Sequence, residues 1–321
     1  MYINKEEAVK HKNVELITDD IMISSVGSKP PLYDSMVGKV VLIPEFINGS
    51  LLNQNAIRFR TKQDNQKYIY NYLKQRKYTR FIENIMRGNA NQRSITLEDL
   101  FEFELNIPSL NEQNKVSKLL SLLNKKIKLQ SKKIEDLKLF KKGLLKKNYY
   151  KIANNNLTEL SCIANIYQPQ TISQSELDNG KYHVFGANGI IGKYSKFNHK
   201  FMQVTISCRG ENSGTINLTP DECWITGNSM VLNVDENKNV DKLYLKSILE
   251  AQNLKYLISG SGQPQIVRSS VLKHKIPYIS IEQQKKFTIP FIKLDSKIKL
   301  EQNKLIKLQK LKKGLMQRMF V

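Results

Sequence analysis

Hydrophobic residues recur at alternating spacings of four and three in two separate stretches of the chain. The first stretch has Val116, Leu120, Leu123, Ile127, Gln130, Ile134, Leu137, Lys141 and Leu144 at these spacings. The second has Phe287, Phe291, Leu294, Ile298, Glu301, Leu305, Leu308, Lys312 and Leu315. Each set is apolar at seven of nine places, and its polar residues stand at the same two places. This spacing is typical of a coiled coil, so it predicts two long helices that pack on each other, and antiparallel packing would place one globular domain at each end.

Pro290 interrupts the second of these stretches at the place that Leu119 occupies in the first. A proline inside a helix costs about 3 kcal/mol or more. Two interpretations therefore stay open. Either the second helix kinks at Pro290, or its long uninterrupted part begins there with the proline in the first turn.

The two stretches belong to an internal repeat that spans most of the chain. A shift of 171 positions superimposes residues 126–129 and 141–144 on 297–300 and 312–315. With a gap of one or two residues, Ile107-Pro108 and Glu112-Gln113 recur as Ile276-Pro277 and Glu282-Gln283. Farther upstream, Gly88, Gln92 and Ile95 match Gly260, Gln263 and Ile266. The repeat unit is therefore a globular part followed by a long helix, present twice.

The globular parts have the alternating pattern of short strands followed by a helix. In the first half we predict strands at 21–27, 39–44 and 56–60, then a helix at 65–86. In the second half we predict strands at 182–187, 204–210, 215–219, 223–226 and 230–234, then a helix at 240–258. The predicted fold class is α+β, with two mixed α/β domains and two long helices.

The positive charge of the chain indicates which kind of partner it binds. The chain has 321 residues and a formal net charge of +22, which favours a polyanionic partner, nucleic acid before an acidic membrane. Residues 111–150 contribute +9 and residues 276–321 contribute +8. Two rods of one sign would repel each other unless duplex DNA or an acidic partner subunit lies along them.

Cysteines and hydropathy exclude other classes of protein. Cys162, Cys208 and Cys223 lie far apart without a CxxC pair or a nearby histidine pair, so neither a disulfide framework nor a zinc site is predicted. No apolar run reaches the length of about 18 residues of a membrane helix, and the N-terminus has no apolar signal core. We expect a soluble, cytoplasmic protein.

Polar loops follow the predicted helix in both halves. Side chains with forked donors or amides that can reach base edges are Arg87, Asn89, Asn91, Gln92 and Arg93 in the first loop, and Gln263, Gln265 and Arg268 in the second. Any one of them could equally belong to an ordinary polar loop. Their recurrence at the same place of both halves favours a binding role for the loops.

Catalytic patterns are weak. Asp221, Glu236 and Lys238 fit the loose pattern of a metal-dependent nuclease, but both segments also have the residues of hairpin turns, which we favour. The stretch from Lys29 to Tyr33 lacks the leading acid or amide of the similar adenine methyltransferase motif. A stand-alone nuclease remains the alternative to a binding protein, and it predicts magnesium-dependent cleavage that Asp221→Ala would abolish.

A family resemblance rests on the repeated segments IPSLNEQ…LLSLLNKKIKLQ…KKGLLKK and IPYISIEQ…KLDSKIKLE…KKGLMQR. Together with YHVFGANGIIGKY, SCRGENSG and TGNSM in the second half, and SSVGS and LLNQNAIRF in the first, they resemble the specificity subunit of type I restriction-modification enzymes. The resemblance covers nearly the whole chain. It adds Asn188, Lys193, Arg209 and Asn212 to the residues expected to contact DNA.

The resemblance implies a non-catalytic protein with two target recognition domains. These would be residues 1–106 and 151–275, with conserved helices at 107–150 and 276–321 pairing as an antiparallel coiled coil in a pseudo-twofold repeat. Each domain would read half of a bipartite DNA site. A rod of about 30 residues is roughly 45 Å long, somewhat more than one DNA turn.

The resemblance also implies the partners. The helices would dock methyltransferase subunits, two of them, and a restriction subunit would join the assembly. Residues assigned to the coil and to docking are Leu123, Ile127, Ile134, Leu137, Leu294, Ile298, Leu305 and Leu308. S-adenosylmethionine, ATP and magnesium are expected on the partner subunits, and no cofactor, metal or catalytic residue on this chain.

One departure concerns the first recognition domain. About 55 residues, including LTELSCIANIY, separate Lys151 from Ile206, whereas only 22 precede the comparable Ile23. The segment LTELSCIANIY looks like the opening strand of a recognition domain. The first domain is therefore expected to be shortened at its beginning.

Overall fold

The structure is a computed structural model, and it describes residues 10–88, 92–154, 156–187, 189–260 and 263–320. The chain divides into two compact units. Unit 1 comprises residues 1–131 and 303–321, and unit 2 comprises residues 132–302. The predicted domain limits, which lie at the ends of the long helices, remain a prediction.

Unit 1 contains a small antiparallel sheet covered by helices. Its strands are β1 (Ile21–Ser24), β2 (Val26–Gly27), β3 (Val40–Leu42), β4 (Ala56–Phe59) and β5 (Arg93–Ser94). Its first helices are α1 (Gln66–Tyr72), α2 (Arg76–Ile85) and α3 (Leu97–Phe101). The strand order is β3-β1-β4, and β2 pairs with β5. The sheet side chains Ile21 and Ile23 pack against Tyr72 and Ile82 in one buried core.

The single helix predicted at 65–86 is wrong. Gln75 has an extended backbone, with φ −78° and ψ 157°, and separates α1 from α2. The break lets α2 turn toward the sheet, where the Tyr78 hydroxyl donates to the Gly38 carbonyl at 3.1 Å. Ile82 lies so close to Gly38 that a Cβ there would be 2.7 Å from its side chain.

Unit 2 has the same plan with additional strands. They are β6 (Leu157–Glu159), β7 (Asn165–Tyr167), β8 (Tyr182–Gly186), β9 (Gly189–Tyr194), β10 (Val204–Ser207), β11 (Ile216–Leu218), β12 (Trp224–Ile225), β13 (Ser229–Asn233) and β14 (Lys275–Pro277). The helices are α5 (Leu160–Ile163), α6 (Lys242–Gln252) and α7 (Arg268–Leu272). The sheets are β11-β10-β13-β7, β12-β8-β9 and β14-β6. Helix α6 ends earlier than predicted because Asn253 adopts a left-handed conformation, with φ 56°.

The central strands of the two units correspond. β1 pairs antiparallel with β3 and β4, as β10 pairs with β11 and β13. Unit 2 also has β6 and β7 ahead of the sheet β12-β8-β9. Among the described residues of unit 1, no strand matches these additions. The expected shortening of the first domain remains a prediction.

Two long helices follow the globular parts, α4 (Leu110–Ile152, 43 residues) and α8 (Ile281–Met319, 39 residues). The residues at the predicted spacings of four and three form the seam of the coiled coil. All of these seam residues in both helices are buried or half-buried, including the polar residues Gln130 and Glu301. The predicted coiled-coil pattern is therefore confirmed. Pro290 lies inside α8, so the interpretation in which the helix begins there is wrong.

Ion pairs between α4 and α8 in unit 2 show that the helices run antiparallel. Lys133 Nζ lies 3.0 Å from Glu301 Oε1, and Lys141 Nζ lies 2.6 Å from Asp295 Oδ1. The later residue of α4 thus pairs with the earlier residue of α8. Antiparallel packing was the prediction from the sequence, and it is confirmed.

A buried glutamine joins each long helix to the globular part of its unit. In unit 1, Gln113 Oε1 accepts from the backbone N–H of Asn65, the N-cap residue of α1, at 2.8 Å. In unit 2, Gln284 Oε1 accepts from the N–H of Asp241, the N-cap residue of α6, also at 2.8 Å. Both glutamines are almost completely buried. The same side chain therefore fixes the same junction in both units.

These hydrogen bonds correct the alignment of the two helix starts. Gln113 corresponds to Gln284 and not to Gln283, as the repeated Glu-Gln letters had suggested. Likewise Glu112 caps Ser109 as Gln283 caps Ser280. One register of 171 positions therefore runs through the helix starts without a gap.

Within the part of the chain that the structure describes, no helix is both long and apolar enough to cross a membrane.

Candidate nucleic-acid interface

A tight loop follows the helical layer in each unit and closes on a pair of backbone hydrogen bonds. In unit 1, Arg87 and Ser94 exchange N–H···O bonds of 3.0 and 2.9 Å. In unit 2, Ser259 and Gln265 exchange bonds of 2.8 and 3.0 Å. These are the two loops that the sequence repeat had singled out, and the same pair of backbone hydrogen bonds closes both of them.

One glycine in each loop makes this closure possible. Gly88 has φ 113° and Gly260 has φ 92°, conformations that other residues rarely adopt. A Cβ at Gly88 would lie 2.7 Å from the Gln92 carbonyl oxygen, and a Cβ at Gly260 would lie 2.8 Å from that of Gln263. Glycine is therefore the residue that suits these two positions.

Each loop is attached to the end of the central strand of its sheet. The N–H of Ile95 donates to the Ser25 carbonyl at 3.0 Å in unit 1. The N–H of Ile266 donates to the Cys208 carbonyl at 3.0 Å in unit 2. Since Ile95 and Ile266 are buried, the sheet core holds both loops in place.

In unit 2 three segments meet at this place. The N–H of Gly210 and the hydroxyl of Ser213 donate to the Pro264 carbonyl at 3.0 and 2.9 Å. The hydroxyl of Ser207 donates to the carbonyl of Ala187, at the tip of the β8–β9 hairpin. The turn after β10, the loop before α7 and the hairpin tip therefore form one surface.

Four of the predicted side chains lie on this surface of unit 2. Arg209 and Gln265 are neighbours across a backbone bridge, and both are exposed. Gln263 and Asn212 are exposed in the adjoining loop and turn. Guanidinium and amide groups at such positions can form paired hydrogen bonds with guanine and adenine edges in the major groove. Lys193 is exposed on β9, opposite His183 and away from the hairpin tip.

Arg87 has a structural partner that the sequence reasoning missed. Its Nη2 lies 2.6 Å from Asp99 Oδ1. The Thr96 N–H also donates to Asp99, and with Arg87 it holds the pKa of this carboxyl below its usual value. The spacing from Thr96 to Asp99 is a capping box, which was the available signal.

The other predicted residues differ in how far they can reach a ligand. Gln92 is exposed, and Arg93 is half-buried. Arg268 Nε donates to the Ile166 carbonyl at 2.5 Å, so part of this guanidinium supports β7. Asn89, Asn91 and Asn188 lie outside the described residues.

Aromatic and basic side chains alternate around the sheet β12-β8-β9, which the sequence analysis did not assign to binding. The Lys181 ammonium lies 5.2 Å from the Tyr182 ring centroid, and that of Lys200 lies 5.6 Å from the Phe201 ring. Phe201 is 54% exposed. A lysine followed by an aromatic residue occurs four times between positions 181 and 201, and this repetition was the missed signal. Such surfaces suit phosphates and base faces.

The residues of the nuclease pattern lie in turns or bends. Asp221 Oδ1 accepts a hydrogen bond from the Met202 N–H at 2.7 Å, as in an ordinary turn. Glu236 and Lys238 lie in the turns that follow β13. Across the described residues there is no group of three or more histidine, cysteine or acidic side chains that could hold a metal ion.

Comparison with known proteins gives the family. The model of the type I restriction modification DNA specificity domain matches residues 2–139 and 153–310. The chain belongs to this family. Its two matched segments coincide with the two halves of the repeat, so the specificity domain is present twice.

Individual relatives agree with this assignment. The chain is 24% identical to a specificity subunit of the type I restriction enzyme MjaX from Methanocaldococcus jannaschii, over 98% of this chain and 80% of the relative. The crystal structure of a type I restriction-modification S subunit from M. genitalium has a TM-score of 0.64 at 19% identity, covering 96% of this chain and 84% of the other. A structure on complex assembly and conformational transition of the type I system gives 0.61 at 14% identity, covering 95% and 82%. At these identities the solved structures establish the fold, which is that of a specificity subunit.

Proposed function

We propose that each recognition domain of this specificity subunit reads one half of a bipartite DNA site. We further propose that the helices dock two methyltransferase subunits and that a restriction subunit joins the assembly. The observation that carries the proposal is the duplicated frame, in which Gln113 and Gln284 fix equivalent junctions and Gly88 and Gly260 close equivalent loops. A protein with two equivalent loop-bearing domains suits a DNA target with two half-sites.

In this scheme the chain itself does no chemistry. S-adenosylmethionine would bind to the methyltransferase subunits, and ATP and magnesium would bind to the partner subunits that move and cleave DNA. The role of this chain is to place the target adenine within their reach. The support is the family membership, together with loops whose exposed side chains are amides and guanidinium groups.

The test of DNA reading is to co-express the chain with its methyltransferase subunit and to map adenine methylation by single-molecule sequencing. A bipartite motif with a fixed spacer is expected. Gln92→Ala should relax one half of this motif, and Gln263→Ala should relax the other half, since the two side chains lie in different units. A motif with one half only, or relaxation of the same half by both variants, would contradict the proposal.

Docking needs residues other than those of the seam. Leu123, Ile134 and Ile298 are at most 8% exposed, because α4 and α8 bury them against each other. Leu137→Asp or Leu308→Asp should abolish docking indirectly, because either change would disrupt the coil that presents the docking surface. A partner subunit would bind side chains that the coil leaves exposed.

Apolar residues are exposed at equivalent positions of both units. Unit 1 has Leu129 on α4 and Leu311 on α8, 58% and 53% exposed. At the matching positions unit 2 has Leu300 on α8 and Phe140 on α4, 61% and 59% exposed. Exposed large apolar side chains that recur in this way indicate a contact surface.

These residues also share one flank of the coil. With the seam residues as heptad positions a and d, Leu129 and Leu300 are at c, and Phe140 and Leu311 are at g. Positions c and g are adjacent on a helix surface, and in an antiparallel pair the g flanks of the two helices lie beside each other. Each unit thus offers one c leucine and one g apolar residue. We propose that each such pair docks one methyltransferase subunit.

Native mass spectrometry of the co-purified complex tests this docking surface. Leu129→Asp and Leu300→Asp should each remove one methyltransferase copy, and the double variant should remove both. Ile306 is a matched control, since it is 48% exposed at position b on the other flank, and Ile306→Asp should retain both copies. Two copies on the double variant, or an equal loss with the control, would contradict the proposed surface.

A further inference from the structure

A cleft with an unusual concentration of positive charge lies within unit 1. It is enclosed by the turn between α1 and α2 and by the last turns of α8, and its volume is about 400 Å³. Lys74, Arg76, Lys312 and Lys313 line it, together with glutamine and methionine side chains and no acidic residue. A neighbouring cleft shares Lys74 and Arg76 and is also lined by Arg80 and Glu83. Four cations therefore converge on one concave site.

The charges in the cleft are not balanced from within the protein. Among the described residues, none of Lys74, Arg76, Lys312 and Lys313 forms an ion pair with an acidic side chain. The Lys74 ammonium lies over the Tyr70 ring, 4.7 Å from its centroid. Burial, and then the nearby charge of Lys74, lower the pKa of Lys312. An anion in the cleft would relieve this repulsion.

The second half of the chain shows how the same lysine is balanced elsewhere. Lys312 corresponds to Lys141 under the shift of 171 positions, and Lys141 forms the 2.6 Å pair with Asp295 in unit 2. The residue that corresponds to Asp295 is Asn124, which has no charge. Unit 1 thus has the lysine of the repeated KKGL segment, but it has no aspartate at the position that corresponds to Asp295. Lys312 thus has no acidic partner among the described residues of the chain.

We infer that the cationic cleft formed by Lys74, Arg76, Lys312 and Lys313 binds a phosphate of the DNA backbone outside the bases that the recognition domains read. This inference rests on the proposed function, and it assigns a phosphate contact to residues outside the recognition loops. Lysine and arginine are the usual ligands of backbone phosphates, which fix the register of a protein on the duplex.

The asymmetry of the cleft favours DNA over an acidic partner subunit. In unit 2 a cleft of about 370 Å³ beside the end of α6 is lined by Tyr149, Tyr150 and Tyr256, with Lys146 as its one cation among the described residues. Lys141 and Lys142, the counterparts of Lys312 and Lys313, do not line it. Two copies of one partner would need the same site in both units. A DNA contact does not, because the two half-sites of a bipartite target differ.

The asymmetry also complements a difference between the strands described in the two units. Unit 2 has the lysine and aromatic pairs around the sheet β12-β8-β9 for contacts with the phosphate backbone. No counterpart of this sheet is found in the described residues of unit 1. The cleft supplies unit 1 with the cationic groups that this sheet supplies in unit 2.

The test is the salt dependence of DNA binding by the complex of this chain with its methyltransferase subunit. The probe is a duplex that carries the methylated motif, at salt concentrations from 50 to 200 mM. Each phosphate contact contributes about 0.9 to the slope of log K against log salt. Arg76→Gln with Lys312→Gln should therefore lower the magnitude of the slope by about 0.9, so that the loss of affinity over this range becomes about threefold smaller. The methylated motif should stay the same.

Two further variants keep the test independent of folding and of net charge. Asn124→Asp should give Lys312 an internal partner, like the pair of Lys141 with Asp295, and lower the slope by about 1 while every cleft side chain is retained. Lys142→Gln with Lys147→Gln removes the same charge from exposed positions of α4 in unit 2 and should leave the slope unchanged.

The outcomes separate this inference from the proposed function. An unchanged slope in the cleft variants would overturn the inference, as would an equal fall in the control. Loss of methyltransferase co-purification with an unchanged slope would assign the cleft to a protein partner and would also overturn it. Absence of DNA binding by the unaltered complex would instead refute the proposed reading function itself.

Discussion

Replacing Gln284 by methionine should loosen the junction between α8 and the second recognition domain. Gln284 is fully buried, and its side chain makes three hydrogen bonds to the backbone. Oε1 accepts from the Asp241 N–H at 2.8 Å, and Nε2 donates to the carbonyls of Asn239 and Ile279 at 2.9 and 2.8 Å. Methionine has a similar size, so the change removes hydrogen bonds and leaves the packing volume nearly the same.

The size of the effect follows from the groups that lose their partners. One N–H and two carbonyls would be left unsatisfied, and each buried unsatisfied group costs about 1–3 kcal/mol. Burial of the apolar methionine side chain offsets part of this cost. We therefore expect a loss of about 3 kcal/mol in the free energy of unfolding of unit 2. This is a large fraction of the stability of a domain.

Hydrogen exchange measured residue by residue is the suitable assay, because a chain with two units need not unfold in one step. The amide of Asp241 and those of the first turn of α6 should exchange about a hundredfold faster in Gln284→Met. Gln283→Ala is the control, since Gln283 is exposed and caps only Ser280, and it should cost about 1 kcal/mol or less. Gln113→Met should act in the same way in unit 1 alone. Unchanged exchange at Asp241 would refute the assigned role of the buried glutamine.

Three further changes test single contacts. Burial lowers the pKa of His274 to about 4. The free energy of unfolding of unit 2 should therefore fall by about 3 kcal/mol between pH 6.5 and pH 4, because the unfolded state binds a proton in this range and the folded state does not. His274→Gln should remove this pH dependence in denaturant titrations. Although burial opposes it, the hydrogen bond from Arg60 lowers the pKa of Asp20, so this pair stabilises unit 1 above about pH 4 and the stabilisation is lost as the pH falls further. Asp20→Asn should cost about 2 kcal/mol at neutral pH by chemical denaturation, near the low end for a buried pair because Arg60 is 41% exposed. Gly260→Ala should slow methylation at the half-site read by the second domain, since a Cβ there would lie 2.8 Å from the Gln263 carbonyl oxygen.

The sequence predicted the long helices well because their signal is local and repeated. A seam of apolar residues at spacings of three and four requires only the residue types, and the shared polar places gave its register. The break between α1 and α2 could not be predicted in this way. It depends on the approach of Ile82 to Gly38, which lie far apart in the sequence. Local periodicity continues through Gln75, and the tertiary contact overrides it.

The sequence predicted the positions of the two candidate loops. It did not predict which of their side chains are free to contact a ligand. Recurrence of Gly88 and Gly260 marked the loops, because a required positive φ leaves a glycine in the sequence. The engagement of Arg87 with Asp99, and that of Arg268 with Ile166, depends on where separate segments meet. Propensity and spacing carry no information on such contacts. The structure therefore shifts attention to Gln92, Arg209, Gln263 and Gln265, which are exposed beside the closed loops.

The separation between buried frame residues and exposed loop residues would allow one frame to read different half-sites, as the proposed function requires. Buried groups and backbone hold the frame, through Gln113 and Gln284 at the junctions and the glycines in the loops. The side chains that face outward there contribute little to stability, since exposed substitutions usually change it by about 0.5 kcal/mol or less. They can therefore differ between the units, as Gln92 and Gln263 do in their surroundings, without disturbing the fold. Exchanging the outward side chains between the two loops should alter the methylated motif. The hydrogen-exchange protection of Ile95 and Ile266 should stay unchanged. A loss of that protection would show that the same residues serve both DNA reading and folding.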